Sequence, residues 1–319
     1  MPSTLIKRIT LSVLLCAVVL LATSAAAHPS QDVSPTSEPA TTSDTLTTPK
    51  AVVLGVVEGL TEYLPVSSTG HLLIAERLMK IGEGRDKAAA DDFTIVIQIG
   101  AILAVLGIYR KRFVLMAEGV IGRSAEGRST LISLVVAFIP AAVIGLLAGD
   151  TIKKHLLQPW PVVAAWFVGG VAILVFVKYQ PRISVKVDSI SAITIPQAVI
   201  IGLAQALALW PGTSRSLVTL IAALLLGVSL PVAVEFAFLL GFVTLSLATA
   251  KELASNGSEM FHTFGYLNPL IGTIVAGLAA WLAVRWMVSY LQRHPLTIFG
   301  WYRIVIAAVG AGLIVGGVI

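Results

Sequence analysis

The chain has 319 residues, of which 56% are hydrophobic and only 12% are charged, and its formal net charge is +5. This composition is typical of a helical membrane protein with several spans, and it excludes an ordinary soluble domain. The basic residues stand in short clusters between apolar runs, as in Arg110-Lys111-Arg112, so they predict membrane orientation and no nucleic-acid partner.

The first 27 residues have the pattern of a signal peptide. Lys7 and Arg8 precede an apolar run, and a stretch of small residues follows it. The run is short for a full span, which favours cleavage near Ala27 over an uncleaved extra helix. The single cysteine, Cys16, lies in this run, so an internal disulfide is excluded.

Residues 28–50 are rich in serine, threonine and proline and contain few apolar residues. Such a segment cannot bury enough apolar surface to fold, so it is predicted to be a disordered tether. The remainder, 51–319, is predicted to be a single membrane-embedded domain that carries the chemistry. A chain that starts near Lys50 is therefore expected to keep its activity.

Six apolar runs are long enough to cross a bilayer as helices. They cover, approximately, residues 92–109, 130–149, 160–178, 231–250, 267–289 and 300–319. Two further segments, 51–82 and 195–228, each contain two short helical stretches separated by a tip of proline, glycine, serine and threonine. A helix of about 14 residues reaches only about 21 Å, which is too little for the hydrocarbon core. Both segments are therefore predicted to be re-entrant hairpins.

The two hairpins resemble each other in sequence. With one residue skipped before the proline, the alignment pairs Gly55, Glu58, Pro65, Ser67 and Ser68 with Gly202, Gln205, Pro211, Thr213 and Ser214. Three spans follow each hairpin, so the halves 51–180 and 195–319 are predicted to be inverted repeats. The predicted fold is an all-α polytopic membrane protein with six transmembrane helices and two re-entrant helical hairpins.

The distribution of basic residues favours an external position for the tether. Eight lysines and arginines lie in the loops around 110–128 and 178–186, which are predicted to be cytoplasmic, whereas the opposite loops have mainly Lys153, Lys154 and Lys251. Basic residues beside the first hairpin, such as Arg77 and Arg85, weaken this orientation signal.

Glu58 and Glu62 lie four residues apart, which places both carboxylates on one helix face. A charged side chain at bilayer depth is costly and therefore indicates function. Two adjacent carboxylates repel each other unless a proton or a divalent cation lies between them. The pair is predicted to bind a divalent cation, Mg²⁺ or Ca²⁺; the alternative is that one glutamate reaches water at the hairpin mouth.

Arg215 stands in the second tip, after Pro211 and Gly212. A guanidinium binds phosphate through two parallel hydrogen bonds. The backbone N–H groups of Gly212, Thr213 and Ser214 can face the same anion at the start of a helix. The second tip therefore predicts an anion site, with a solvated loop arginine as the alternative.

His71 closely follows the hydroxyl residues of the first tip. A histidine near serine or threonine can act as a general base or acid, although a histidine at a helix start is more often a packed or capping residue. Together, the acid pair, the hydroxyls, the histidine and the arginine predict phosphoryl transfer.

These residues resemble the signatures of the undecaprenyl-diphosphatase family of the bacitracin-resistance type. The family has an (E/Q)xxxE motif, matched by Glu58 to Glu62, a PGxSRSxxT motif, matched by Pro211 to Thr219, and a histidine, matched by His71. The resemblance extends from about residue 50 to the C-terminus. It implies the following site: catalytic Glu58, Glu62, Ser68, His71 and Arg215, with Ser68 as the proposed nucleophile, and substrate-binding Ser67, Thr69, Gly212, Thr213, Ser214, Ser216 and Thr219.

The resemblance implies dephosphorylation of undecaprenyl diphosphate at the outer face of a bacterial inner membrane. This reaction recycles the lipid carrier for cell-wall synthesis and confers bacitracin resistance. The alternative function is a transporter or flippase of the polyprenyl phosphate, because inverted repeats and broken helices are transporter features. The expected partners are the polyprenyl diphosphate, the bilayer and a second copy of the chain in a homodimer. The sequence leaves open whether Ser68 or a water attacks, and which metal is bound.

Overall fold

The computed structural model describes residues 46–81, 87–180 and 183–319. The predicted signal peptide and the tether before residue 46 lie outside the described residues. The described helices are α1 (Thr48–Thr61), α2 (Ser68–Leu78), α3 (Lys87–Ile108), α4 (Arg110–Val120), α5 (Ala125–Leu156), α6 (Pro159–Tyr179), α7 (Ile195–Ala206), α8 (Arg215–Leu225), α9 (Leu230–Phe264), α10 (Leu267–Leu291) and α11 (Thr297–Val315). Short 3₁₀ turns lie at Ile190–Ala192 and Leu207–Leu209.

Six of these helices are long and apolar enough to cross a membrane, and they correspond to the six predicted runs. They are α3, α5 as far as Gly149, α6, α9, α10 and α11. The prediction of an all-α polytopic membrane protein is therefore confirmed.

Helix α9 is longer than its apolar run predicted, because it continues past residue 250 to Phe264. The added turns are polar in composition, but Met260 and Phe264 are buried in a cluster that includes Phe93 of α3. This packing extends the helix where average hydropathy predicted a loop.

The two predicted hairpins appear as pairs of short helices. The arms α1 and α2 contact each other, as do α7 and α8, and each pair is broken at the predicted tip. The first arms pack against long helices of the other half of the chain, α1 along α10 and α7 along α5. The re-entrant course and the opposite orientation of the two halves stay predictions.

The tips correspond in backbone conformation at two serines. Ser67 has a φ of 73° and Ser214 a φ of 74°, and each precedes the first residue of a helix, α2 or α8. The same spacing in sequence separates Glu58 from Gln205. The tips therefore match without the residue skipped in the alignment, and Ser67 corresponds to Ser214 instead of Thr213.

Helix α10 lies very close to its neighbours, because glycines face it. A Cβ atom at Gly59 of α1 would lie 2.2 Å from the carbonyl oxygen of Ala276, and one at Gly100 of α3 would lie 2.0 Å from that of Thr273. Absence of a side chain at these positions lets the backbones touch and holds α10 against both α1 and α3.

The packed structure begins before residue 51, the predicted boundary of the domain. Leu46 is buried, and its carbonyl accepts a hydrogen bond of 2.6 Å from the Asn268 side chain. The Thr48 hydroxyl donates to the same asparagine at 2.9 Å. Part of the predicted tether, residues 46–50, therefore belongs to the packed structure.

A chain that starts at Ala51 should be less stable than one that starts at Thr45. Burial of a leucine contributes about 1.5–3 kcal/mol, so we expect its loss to lower Tm by about 3 °C or more. Thermal unfolding of both shortened proteins and the full chain in one detergent measures this. Equal Tm values for the two shortened proteins would contradict a stabilising role of residues 46–50.

Candidate active site

The tips of the two helix pairs meet and join residues that are far apart in sequence. The Ser216 hydroxyl donates to the Leu64 carbonyl at 3.0 Å, and Arg215 Nη2 donates to Glu62 Oε1 at 2.6 Å. A cavity of about 400 Å³ lies beside these contacts. Its lining includes these predicted site residues: Glu62, Ser67, Ser68, Thr69, Gly212, Ser214 and Arg215.

Glu62 is the centre of the hydrogen-bond network at the cavity. One of its carboxylate oxygens accepts from Arg215 and the other accepts from the Ser68 hydroxyl. Glu62 and Ser68 are both buried, so their interaction is only weakly screened by water. The carboxylate is therefore placed to remove the proton from Ser68.

Glu58 is fully buried, and neither of its carboxylate oxygens has a hydrogen-bond partner in the described part of the chain. An unpaired carboxylate is costly to bury, so the group needs a proton, a cation or an external donor. Among the described residues, no group of three or more His, Cys, Asp or Glu side chains could hold a metal ion. The two carboxylates fit a cation of the magnesium type, which commonly takes one or two carboxylates and completes its shell with water and substrate phosphate.

Arg215, the first residue of α8, is held in a tight, mostly buried place. Its side chain is 12% exposed, and its Nη1 has no hydrogen-bond partner among the described residues. A Cβ atom at Gly241 of α9 would lie 1.9 Å from Nη1, so only glycine leaves room for the guanidinium. Nη2 is bonded to Glu62, and the donors of Nη1 are left for an anion.

The N-termini of α2 and α8 both reach this cavity. The residue before α2, Ser67, provides no side-chain cap, whereas the Ser214 hydroxyl accepts from the Leu217 amide at 3.4 Å. Helix N-termini carry partial positive charge and free N–H groups, so two of them at one cavity favour an anion. The positive φ of both serines costs about 1–3 kcal/mol each, and such strain concentrates at functional sites.

His71 lies beside the first tip but does not line the cavity. Its Nδ1 is 2.6 Å from the Ser67 carbonyl, and its Nε2 is 2.8 Å from the Tyr302 hydroxyl. Because a carbonyl only accepts, Nδ1 carries a hydrogen and donates it to the Ser67 carbonyl. His71 thus supports the backbone of the strained serine, while Ser68 is bonded to Glu62. The acid–base role of His71 stays a prediction.

Three residues of the predicted substrate-binding set lie outside the cavity lining: Thr213, Ser216 and Thr219. The Thr219 hydroxyl donates to the Arg215 carbonyl at 2.8 Å, and Ser216 donates to the first tip. In this arrangement, both hydroxyls hold the tips in shape, and their contact with a substrate stays a prediction.

The cavity also has polar residues that sequence reasoning missed as site residues, namely Gln98, Gln205, Thr244 and Lys251. Gln205 is buried, its Oε1 lies 3.3 Å from the Thr244 hydroxyl, and its Nε2 has no partner among the described residues. The alignment of the two helix pairs, which matches Gln205 to Glu58, could have identified Gln205 as a site residue. The part of the lining that comes from α5 is apolar, with Phe138, Ala141, Ala142, Gly145 and Leu146.

The chain is similar in sequence to known proteins over the region that contains the candidate site. Positions 51–309 match the family described as bacitracin resistance protein BacA. Undecaprenyl-diphosphatase 2 of Rhodospirillum rubrum is 42% identical over 270 residues, which cover 83% of this chain and 96% of the relative. Undecaprenyl-diphosphatase of Methylococcus capsulatus is 43% identical over 258 residues, 80% of this chain and 90% of the relative.

Proposed function

Because this chain belongs to the bacitracin resistance protein BacA family, we propose that it acts on the diphosphate of a polyprenyl lipid at the cavity between its two tips. It is a multi-pass membrane enzyme that dephosphorylates undecaprenyl diphosphate to undecaprenyl phosphate and so recycles the lipid carrier. The observation that carries the proposed site is the chain of contacts from Arg215 through Glu62 to Ser68.

The cavity suits the two parts of such a substrate. Arg215 and the N-termini of α2 and α8 supply donors and positive potential for the diphosphate. The apolar wall on α5, which includes Phe138 and Leu146, suits the first part of the hydrocarbon tail. A tail that continues into the lipid would leave the diphosphate at the tips.

We assign the attack on phosphorus to the Ser68 hydroxyl. Its oxygen forms a bond to the terminal phosphorus as its proton passes to Glu62, and the bond from that phosphorus to the bridging oxygen breaks. Undecaprenyl phosphate departs with the bonding electrons. Water then cleaves the phosphoserine, which releases phosphate and restores the serine hydroxyl.

Arg215 has two tasks in this scheme. Through Nη2 it holds Glu62 towards Ser68, and through Nη1 it binds an oxygen of the reacting phosphate. The negative charge that shifts to the bridging oxygen is stabilised best by donors that are already fixed before the reaction. The buried, glycine-lined position of the guanidinium provides this fixed arrangement.

Glu58 and Glu62 are the residues that would hold a divalent cation. Such a cation supplies charge neutralisation at the phosphate oxygens. The active site is proposed to face the outside of the cell, in keeping with the basic loops on the other side. Assembly as a homodimer stays a prediction.

The test of this function is phosphate release from undecaprenyl diphosphate by the purified protein in detergent and in vesicles. We expect stoichiometric undecaprenyl phosphate and inorganic phosphate in both preparations. A folded protein that moved the lipid between leaflets and released no phosphate would refute the proposal and favour the transporter.

Chelation of divalent cations should inhibit phosphate release strongly. Without the cation, the charges of the two glutamates and of the substrate phosphates would repel one another, so we expect excess EDTA to lower kcat about a hundredfold. Phosphate release is measured before chelation, after it, and after Mg²⁺ or Ca²⁺ is added back. Full activity in EDTA would remove the cation from the mechanism.

Arg215→Lys should also fail, although it keeps the positive charge. An ammonium cannot hold Glu62 and a phosphate oxygen with one planar group, so we expect kcat/KM to fall about a hundredfold. Arg128→Lys is the matched exchange, because Arg128 is exposed and lies outside the cavity lining, and it should change kcat/KM little. Near-normal kinetics of Arg215→Lys would mean that Arg215 serves only as a diffuse charge.

A further inference from the structure

Arg303 is fully buried although it lies in a membrane-spanning helix, α11. All of its hydrogen bonds go to backbone carbonyls, those of Gly212 at 2.7 Å, Ala165 at 2.9 Å, Trp166 at 3.3 Å and Pro65 at 3.4 Å. In the described part of the chain it forms no salt bridge. A buried arginine without an acidic partner at membrane depth is a candidate functional residue.

Two of these carbonyls come from corresponding positions of the two tips. Pro65 stands two residues before the strained Ser67, and Gly212 stands two residues before the strained Ser214. Each strained serine directly precedes a residue of the proposed mechanism: Ser68 follows Ser67, and Arg215 follows Ser214. The other two carbonyls belong to α6, so Arg303 joins both tips to one rigid helix.

We propose that Arg303 is a positioning residue that fixes the two tips relative to each other, so that Ser68 and Arg215 face the same phosphate. This inference rests on the proposed function for its effect on turnover. Its structural part, the joint immobilisation of both tips, does not depend on any substrate.

The chemistry of the side chain suits this task. A planar guanidinium has five N–H donors in a fixed fork and can serve several carbonyls from different segments, whereas an ammonium has three donors at one point. The space for it comes from Gly169 of α6, where a Cβ atom would lie 2.3 Å from Arg303 Nη2. An alanine at position 169 would therefore displace the guanidinium and leave Arg303 itself unchanged.

Two variants test the proposal independently, Arg303→Lys and Gly169→Ala. Phe299→Leu is the control for a buried change in α11, because Phe299 packs against rings of α10. Gly312→Ala is the control for an added methyl group, since a Cβ there meets nothing within 4 Å.

Misplacement of reacting groups by about 1 Å can cost on the order of a hundredfold in rate, so we expect kcat to fall about ten- to a hundredfold in both test variants. KM should change little, and both controls should keep their kcat.

The second measurement is amide hydrogen exchange of each protein without substrate, followed by mass spectrometry. We expect faster exchange in both tips, residues 62–70 and 209–217, in the two test variants and in neither control. Unchanged exchange at either tip, or unchanged kcat, would overturn the proposal. Faster exchange throughout the chain would also overturn it, because Arg303 would then only maintain the fold. If the parent protein released no phosphate, the proposed function would fail while the tip exchange still reported on Arg303.

Discussion

Replacement of Glu62 by glutamine is expected to lower kcat about a thousandfold, within the range of about a hundred- to ten-thousandfold that a general base typically contributes. The glutamine amide is nearly the same size but cannot take the proton of Ser68. It also loses the charge that pairs with Arg215 at 2.6 Å. Both contacts that organise the cavity would therefore be weakened by a change of one functional group.

The measurement is single-turnover phosphate release, with Tm recorded to show that the protein is folded. Glu76→Gln is the matched control, because Glu76 is a buried glutamate on the second arm of the same hairpin and lies outside the cavity. It should keep its kcat within about threefold, as expected for a residue that makes no contact with the reacting groups. A Glu62→Gln enzyme with more than about a tenth of the parent kcat would contradict the assignment of Glu62 as the base.

Replacement of Ser68 by alanine should abolish turnover, because the proposed mechanism has no other nucleophile. A mechanism in which water attacks predicts a smaller loss, on the order of tenfold, from one missing hydrogen bond. The two mechanisms also differ in the parent enzyme, since only the covalent one forms phosphoserine at position 68.

To detect that intermediate, the parent enzyme is quenched with acid during turnover, and the peptide that contains Ser68 is analysed by mass spectrometry. Ser229→Ala is the control, because this serine is buried and its hydroxyl has no partner in the described part of the chain. Robust turnover by Ser68→Ala with no phosphoserine in the parent would assign the attack to water.

The spans and the two broken helix pairs could be predicted because they depend on local composition. Hydrophobic length identified six membrane helices, and proline, glycine and serine at the tips identified the breaks. The extension of α9 could not be predicted in this way, since it depends on contacts of Met260 with distant helices. The packing of Leu46, which precedes the predicted domain boundary, depends similarly on Asn268, 222 residues away in the chain.

Seven of the predicted site residues line one cavity, but the contacts between them could not be predicted from the sequence. Helical spacing predicted that His71 could reach Ser68, but the ring is bonded to the Ser67 carbonyl and to Tyr302, 231 residues away. Similarly, Glu62 was predicted as a partner of Glu58, and the structure pairs it with Arg215, 153 residues away. Sequence spacing gives no information on such tertiary contacts, because they follow from the way the two tips meet.

The size of the cavity has a consequence for how the enzyme distinguishes long from short substrates. A volume of about 400 Å³ has room for the diphosphate and only the beginning of the tail, so at the proposed site most of an undecaprenyl chain would remain in the surrounding lipid. The length of the substrate chain would then act chiefly through partition into the bilayer, since each added methylene raises the concentration of substrate in the membrane. A shorter polyprenyl diphosphate that reaches the same membrane concentration should be hydrolysed at a similar rate.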